Sequence, residues 1–189
     1  MELYEVFSKR RSIRKYKPDM VPKETINKIL EYAMWAPSGR NWQTWEFLVV
    51  TGAKKEALAA SYGRIAEFTM PPAGQRTPDQ EKYLQWAKTF GGAPVAIVAL
   101  TPVYGDPAIR KMNLESVSAA FCYLLLAATA EGLGTCWMTG PLRNESEVRH
   151  ILEIPDDREV VAITPLGYPD EEPAAPPRRG LQEKIKWIG

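Results

Sequence analysis

Arg10-Arg11-Ser12-Ile13-Arg14-Lys15-Tyr16 packs three arginines, a lysine and a serine hydroxyl into one short segment, directly after an amphipathic stretch that carries Leu3, Val6 and Phe7. Guanidinium forks bind phosphate oxygens in pairs and a serine hydroxyl adds a short donor, so the segment has the chemistry of a phosphate cradle. Charge alone also fits a solvated basic patch, the commoner fate of basic clusters. Over the whole chain, 24 Lys plus Arg stand against 23 Asp plus Glu, a net charge of +1. No global field therefore draws the chain to nucleic acid or an anionic membrane, and an anionic ligand has to be met locally.

Outward from the cluster, Pro22 opens a segment with Ile26, Ile29, Leu30 and Ala33 at helical spacing, which predicts a helix from Lys23 to Ala36. Pro37 closes it and delivers Pro37-Ser38-Gly39-Arg40-Asn41 as a loop. Trp45 to Val50 reads as a strand and Lys54 to Phe68 as a helix. Met70 to Pro78, with prolines and a glycine, is the strongest break in the chain and a candidate mobile lid, with 66–92 as its outer bounds. Substrate choice is expected there. Pro94 to Leu100 is a continuous apolar run, as in a central strand buried on both faces. Asn113 to Glu131 reads as a long helix, apolar nearly all round, with Val117, Phe121, Leu124, Leu125 and Ala128 on its main face. Such a helix needs cover on several sides, which a second subunit would supply. Gly132-Leu133-Gly134 ends it, and Thr135 to Met138 and Glu159 to Thr164 read as two more strands. Pro173 to Pro177 leads into Arg178-Arg179, and 173–189 is expected to form an arm lying on a partner. Strand–helix alternation by itself suggests a parallel α/β sheet.

At 189 residues the chain has the size of a single domain, 1–189, and its 25% charged and 45% apolar residues are those of a folded protein. Met1-Glu2-Leu3-Tyr4-Glu5 lacks the order of a secretory signal, and Glu2 excludes the myristoylation pattern. The longest apolar run, Ala119 to Ala130, is too short to span a bilayer and reads as a buried helix. Cys122 and Cys136 form no metal or disulfide framework, which suits a reducing cytoplasm, the expected location. Cys136 reads as a small buried hydrophobe. The single histidine, His150, rules out multi-histidine metal chemistry and is expected at the surface. Among Trp35, Trp42, Trp45, Trp86 and Trp137, only Trp42 is put forward as a substrate-pocket residue.

Arg10-Arg11-Ser12-Ile13-Arg14-Lys15-Tyr16, Ala36-Pro37-Ser38-Gly39-Arg40-Asn41-Trp42-Gln43-Thr44-Trp45-Glu46-Phe47, Gly132-Leu133-Gly134-Thr135 and Pro165-Leu166-Gly167-Tyr168-Pro169 follow one another in the order and spacing of the FMN-dependent nitroreductases. The chain resembles that family over essentially its whole length. The first two blocks are specific and the last two generic. The resemblance implies an α+β, three-layer fold with a central, mostly antiparallel sheet flanked by helices, which displaces the parallel sheet that alternation suggests. It also implies an obligate, intertwined homodimer holding two FMN molecules at the subunit interface.

Carried over by position, Arg10, Ser12 and Arg14 look like the residues that hold the phosphate and ribityl chain, with Arg11 sharing the work. Pro37, Ser38, Gly39, Asn41 and Gln43 resemble the segment that reaches the flavin from the other subunit, although Thr44 stands where the family usually has proline. Thr139 and Gly140 resemble the stretch whose backbone N–H faces flavin N5, and Arg178 and Arg179 the basic pair that closes over the phosphate. By local sequence alone, Met138-Thr139-Gly140 is also an ordinary exit from a strand before Pro141, and Arg178-Arg179 a solvated tail.

The function so implied is ping-pong transfer of hydride from NADH or NADPH, through the flavin, to a small electron-poor organic acceptor such as a nitroaromatic or quinone. The cofactor carries the redox chemistry, so no acid–base pair is required of the protein. Three alternatives stand beside it: a flavin enzyme of the dehalogenating or flavin-cleaving kind, a flavin-storing protein without turnover, and a nucleotide-binding module. The last lacks both a Walker-type loop and a G-x-G-x-x-G turn.

Overall fold

The computed structural model describes residues 2–189, so Met1 lies outside the described residues. Its sheet is organised by strand β2 (Val95–Pro102), whose side chains alternate between two helical layers. Val95, Ile97 and Ala99 pack with Ile26 and Ile29 of α2 (Lys23–Ala33) and with Val117, Phe121 and Leu124 of α5 (Pro107–Ala130). Ala96, Val98 and Leu100 face the opposite way, onto Leu58, Ala59 and Tyr62 of α3 (Gly52–Phe68) and Leu84 of α4 (Pro78–Thr89). A strand buried on both faces has to be apolar at every position, because successive side chains point to opposite sides. The result is three layers with the sheet in the middle.

β1 (Glu46–Thr51) pairs with β2, β2 with β4 (Arg158–Gly167), and β4 with β3 (Gly134–Thr135), in the order β1-β2-β4-β3. Every one of these pairs is antiparallel. The parallel sheet suggested by alternation is thus overturned, for a reason that lies in α4. Two helices, not one, intervene between β1 and β2, so the chain re-enters the sheet in the opposite direction. α4 falls inside the segment 66–92 read as a lid, and no helix was expected there. It starts on a reciprocal cap between Thr77 and Gln80 with Pro78 at its first position, and it buries Leu84, Trp86 and Ala87.

Several boundaries also move. α2 ends at Ala33 rather than Ala36, and the chain leaves it through tighter bonds from Trp35 N–H to Tyr32 O and from Ala36 N–H to Ala33 O, both 3.2 Å. Pro37 disfavours helical geometry in the residue before it. α5 begins six residues earlier than expected, at Pro107 rather than Asn113, because Asp106 caps it by accepting the N–H groups of Ala108 (2.8 Å) and Ile109 (3.2 Å). By length and composition this helix could cross a membrane, yet Val117, Ala120, Phe121, Leu124 and Ala128 are fully buried in the core. Asp106→Ala is expected to lower stability by about 1 kcal/mol, the usual value of an N-cap, measured as a shift in the urea midpoint.

The first strand-like segment is not in the sheet register proper but along its edge. After α1 (Leu3–Lys9), Ser12 bridges Thr135, and Ile13 N–H donates to Thr135 O at 2.9 Å. Tyr16 N–H then donates to Gly91 O at 3.0 Å, and Lys17 N–H to Tyr168 O at 2.9 Å. Ile13, Tyr16 and Ala93 form a small core of their own beneath the segment. The arginine cluster is therefore bolted to β3, to the Phe90–Gly92 turn and to the strand exit at Tyr168.

Candidate functional site

Extended backbone presents alternate residues to one side. Arg10, Ser12 and Arg14 share a face that looks onto Cys136. Burial pushes the Cys136 thiol up, while Arg14, the nearby Ser12 hydroxyl and Arg10 pull it back. Arg11 lies off that face: its guanidinium donates to Ser8 O (2.6 Å) and Arg10 O (2.8 Å), its Nε is buried without a partner, and it lines a separate cavity of about 190 Å³ with Ile13, Thr129 and Leu133. The Thr135 hydroxyl, beside Ser12, is also buried and unpartnered.

The backbone at the end of the cluster already faces an anion. The Glu171 carboxylate accepts the N–H groups of Arg14 and, at 3.2 Å, of Lys15. Asp170 anchors this arrangement with a 2.6 Å ion pair to Lys15 Nζ. Successive N–H groups converging on one acceptor are a general anion-binding device. Beyond them opens a cleft of about 900 Å³ walled by Arg14, Lys15, Tyr83, Trp86, Gly91 and Glu171. The Arg14 guanidinium stands 5.7 Å from the centre of the Trp86 ring, a cation–π contact that holds it over the cleft.

Met138 exchanges hydrogen bonds with Ile163 at 2.8 and 3.2 Å and delivers Thr139 and Gly140 into a short turn, Gly140–Asn144. Gly140 must lack a side chain, since a Cβ there would come within 2.7 Å of the Tyr62 ring and hydroxyl. The Tyr62 hydroxyl is hydrogen-bonded to that of Tyr83. Burial, and then this partner, push its ionisation well above the ordinary tyrosine range. Tyr62, Tyr83, Thr139, Gly140 and Arg143 enclose a small cavity of about 160 Å³, and Tyr83 also walls the larger cleft.

The Pro37–Gln43 loop lies elsewhere, against the start of α5. Gly39 N–H donates to Ser116 Oγ and Gln43 N–H to Ser38 Oγ, each at 3.1 Å, and Gln43 Nε2 donates to Asn41 Oδ1 at 3.2 Å. Arg40, Asn41 and Gln43 all take positive φ, a strained run for residues with side chains. Trp42 stacks on Tyr104 and carries the Arg40 guanidinium 5.2 Å above its ring. Thr44, at the family's usual proline position, is half-buried with its hydroxyl 3.5 Å from that of Thr101. Asn41 and Gln43 line a cavity with Trp35, and no residue of the loop lines the cavities beside Arg14 or Gly140. Arg178 and Arg179 are exposed on the C-terminal arm. One chain thus brings together the arginine face and Gly140 through Tyr83 and Trp86, and leaves the Pro37–Gln43 loop and the arginine pair apart.

Tyr62, Tyr83, Trp86, Arg143 and Glu171 were not among the residues singled out for the site. A signal for Tyr83 did exist: Thr77-Pro78-Asp79-Gln80 is a capping-box start.

Fold and site together define an α+β protein with a cleft at the sheet edge, lined by Arg14, Lys15 and Lys82 together with the carboxylates of Glu81 and Glu171. The nitroreductase family model matches residues 7–168, and the chain belongs to that family. A Methanothermobacter thermautotrophicus protein provisionally named an NADH dehydrogenase/NAD(P)H nitroreductase is 35% identical over 92% of this chain and 80% of its own length. An iodotyrosine deiodinase of Thermotoga neapolitana is 31% identical over 93% of each chain. The solved FMN-dependent nitroreductase of Clostridium difficile R20291 superimposes with a TM-score of 0.74 over 99% of both chains, at 30% identity.

Proposed function

We propose that this protein is an FMN-dependent NAD(P)H oxidoreductase that reduces small electron-poor organic compounds, nitroaromatics or quinones among them, by a ping-pong route. The observation that carries the reading is the pair of Arg14 and Lys15 N–H groups already turned on a carboxylate, beside the two guanidinium groups and the hydroxyl of Arg10, Ser12 and Arg14. A phosphate monoester needs such a set: guanidinium forks, a hydroxyl and backbone N–H groups, with the buried Thr135 hydroxyl in reserve. In this reading FMN, when bound, supplies the redox chemistry by taking hydride at N5 and passing it on.

The chain's own residues bind and orient. Arg10, Ser12 and Arg14 hold the phosphate end, Arg11 braces the segment through Ser8 and Arg10, and Thr139 and Gly140 offer backbone N–H groups toward N5. Pro37, Ser38, Gly39, Asn41 and Gln43, with Trp42 as a pocket residue, serve the second subunit's site, and Arg178 and Arg179 close over the phosphate. Residues 1–189 act as one unit, with 66–92 as the segment that shapes access and 173–189 as the arm that embraces the partner. A single open cleft receives first the nicotinamide and then the acceptor.

An absorption spectrum before and after anaerobic NADH or NADPH tests this. Flavin bands that bleach are the expected result; protein that stays colourless after FMN reconstitution overturns it, and yellow protein that does not bleach favours storage. Because a deiodinase lies among the relatives, halide release from a halogenated phenol in the same assay decides for the dehalogenating alternative.

The exposed Cys122 and Tyr123 in the C-terminal half of α5, among the fully buried Phe121, Leu124 and Ala128, and Trp187 of the arm, which is 92% exposed, support a homodimer seam on these two elements. Light scattering is expected to give twice the chain mass. Cys122 is expected to resist alkylation until the protein is unfolded, and rapid labelling of Cys122 in the native protein would remove α5 from the interface.

A further inference from the structure

Beside Gly140 the molecule carries a charged group with no assigned task. Arg143, itself solvent-exposed, lines the small cavity of Tyr62, Tyr83, Thr139 and Gly140 and is close enough to Tyr62 to oppose the rise in its ionisation. It makes no ion pair among the described residues. The carboxylates of the following helix, α6 (Glu145–Leu152), are engaged elsewhere: Glu145 by Arg149, and Glu147 by Arg64, Ser61 and Asn144.

The tyrosine pair adds a second feature. In a hydroxyl–hydroxyl hydrogen bond one oxygen donates its proton and the other keeps its own to give, so Tyr62 and Tyr83 together have one O–H left for a ligand. Buried Tyr62 stays protonated through the whole neutral range, so the cavity retains this donor. Its free polar side-chain lining is therefore a guanidinium fork, one tyrosyl O–H and the Thr139 hydroxyl, with no carboxylate; the Thr69 hydroxyl, also on the wall, is turned to Ile65 O and Ala66 O at 3.1 Å. Such a wall suits an acceptor-only group, and the planar fork suits a carboxylate best. The adjoining walls are aromatic: Trp86 stands edge-on to Tyr62 with ring centres 5.6 Å apart and 5.4 Å from Tyr83.

We infer that Arg143 and the Tyr62–Tyr83 hydroxyl pair form a subsite for the carboxylate of an aromatic acid, and so give this enzyme a preference for acceptors that carry one. The inference rests on the reductase reading for the identity of the acceptor, but its binding half can be measured apart from turnover. Calorimetric titration of the purified protein with benzoate and with benzamide, similar in shape and different in charge, reads the subsite directly. Benzoate is expected to bind about tenfold or more tightly, the order of one charge-assisted contact. Arg143→Gln is expected to abolish that difference, and Arg143→Lys to restore part of it by returning charge without the fork.

In turnover, the ratio of kcat/KM for 4-nitrobenzoate over 4-nitrobenzamide is expected to fall in Arg143→Gln by the same factor. Equal binding of the two ligands by the unmodified protein, or an unchanged preference in Arg143→Gln, would overturn the subsite. Failure of NADH and NADPH to bleach the protein would instead sink the flavin reading, and leaves the calorimetric result standing by itself.

Discussion

Arg14→Ala is expected to weaken FMN retention by about 1.5–3 kcal/mol, roughly 10- to 100-fold in the dissociation constant, read by quenching of free-flavin fluorescence. The guanidinium is the member of the Arg10, Ser12 and Arg14 face that stands over the large cleft, held there by the Trp86 ring at 5.7 Å and donating to nothing stronger than Ser12 O at 3.4 Å. An arginine so weakly engaged by its own chain can turn to a ligand without breaking internal bonds. Arg14→Lys keeps the charge and loses the bidentate fork, so it is expected to fall between the two. Unchanged flavin affinity in Arg14→Ala would remove the cradle assignment, because no other residue joins the Cys136 face to the cleft in the same way.

Gly91→Ala is expected to destabilise the fold by about 2–5 kcal/mol, and to do so through the site rather than through the core. At φ +67° a side chain is strained by roughly 1–2 kcal/mol. The added Cβ would also lie 2.0 Å from the carbonyl oxygen of Arg14 and 2.7 Å from its carbon, which are backbone atoms with no rotamer to escape into. Overpacking of that kind adds about 1–3 kcal/mol. Gly92→Ala provides the matched comparison. Its φ is +82°, but the nearest atom, Tyr16 O, is 3.6 Å away, so only the conformational part is expected there. Urea unfolding of both variants separates the terms, and equal losses would show that contact with the arginine segment contributes nothing. Gly91→Ala should also release FMN, since the shift falls on Arg14 itself.

Much of this could be read from residue order alone. The apolar run at Pro94 to Leu100 announced a strand covered on both faces, and β2 alternates between two helical layers from Val95 to Leu100. The boundaries of α2 and α5 moved for local reasons, a proline at position 37 and an aspartate cap at position 106, that are visible once the backbone is known. α4 was hidden because its hydrophobic periodicity is weak: Leu84, Trp86 and Ala87 are buried while Lys82, Tyr83 and Gln85 between and beside them stay exposed. Strand direction was beyond local reading for the same cause, because it depends on how many helices return the chain to the sheet.

By itself, then, the sequence determined the class of the protein, since the order of its blocks is that of the nitroreductase family. The grouping of Arg10, Ser12 and Arg14 came from the resemblance to that family, and extended backbone, which turns residues two apart to one face, is consistent with it. Tertiary structure alone decided what that face meets. Glu171 lies 157 residues from Arg14 along the chain, Tyr83 lies 21 from Tyr62, and neither contact leaves a trace in periodicity or composition. Contacts of that range follow from how layers pack, and a linear pattern encodes only which face each residue shows, not which residue it will find there.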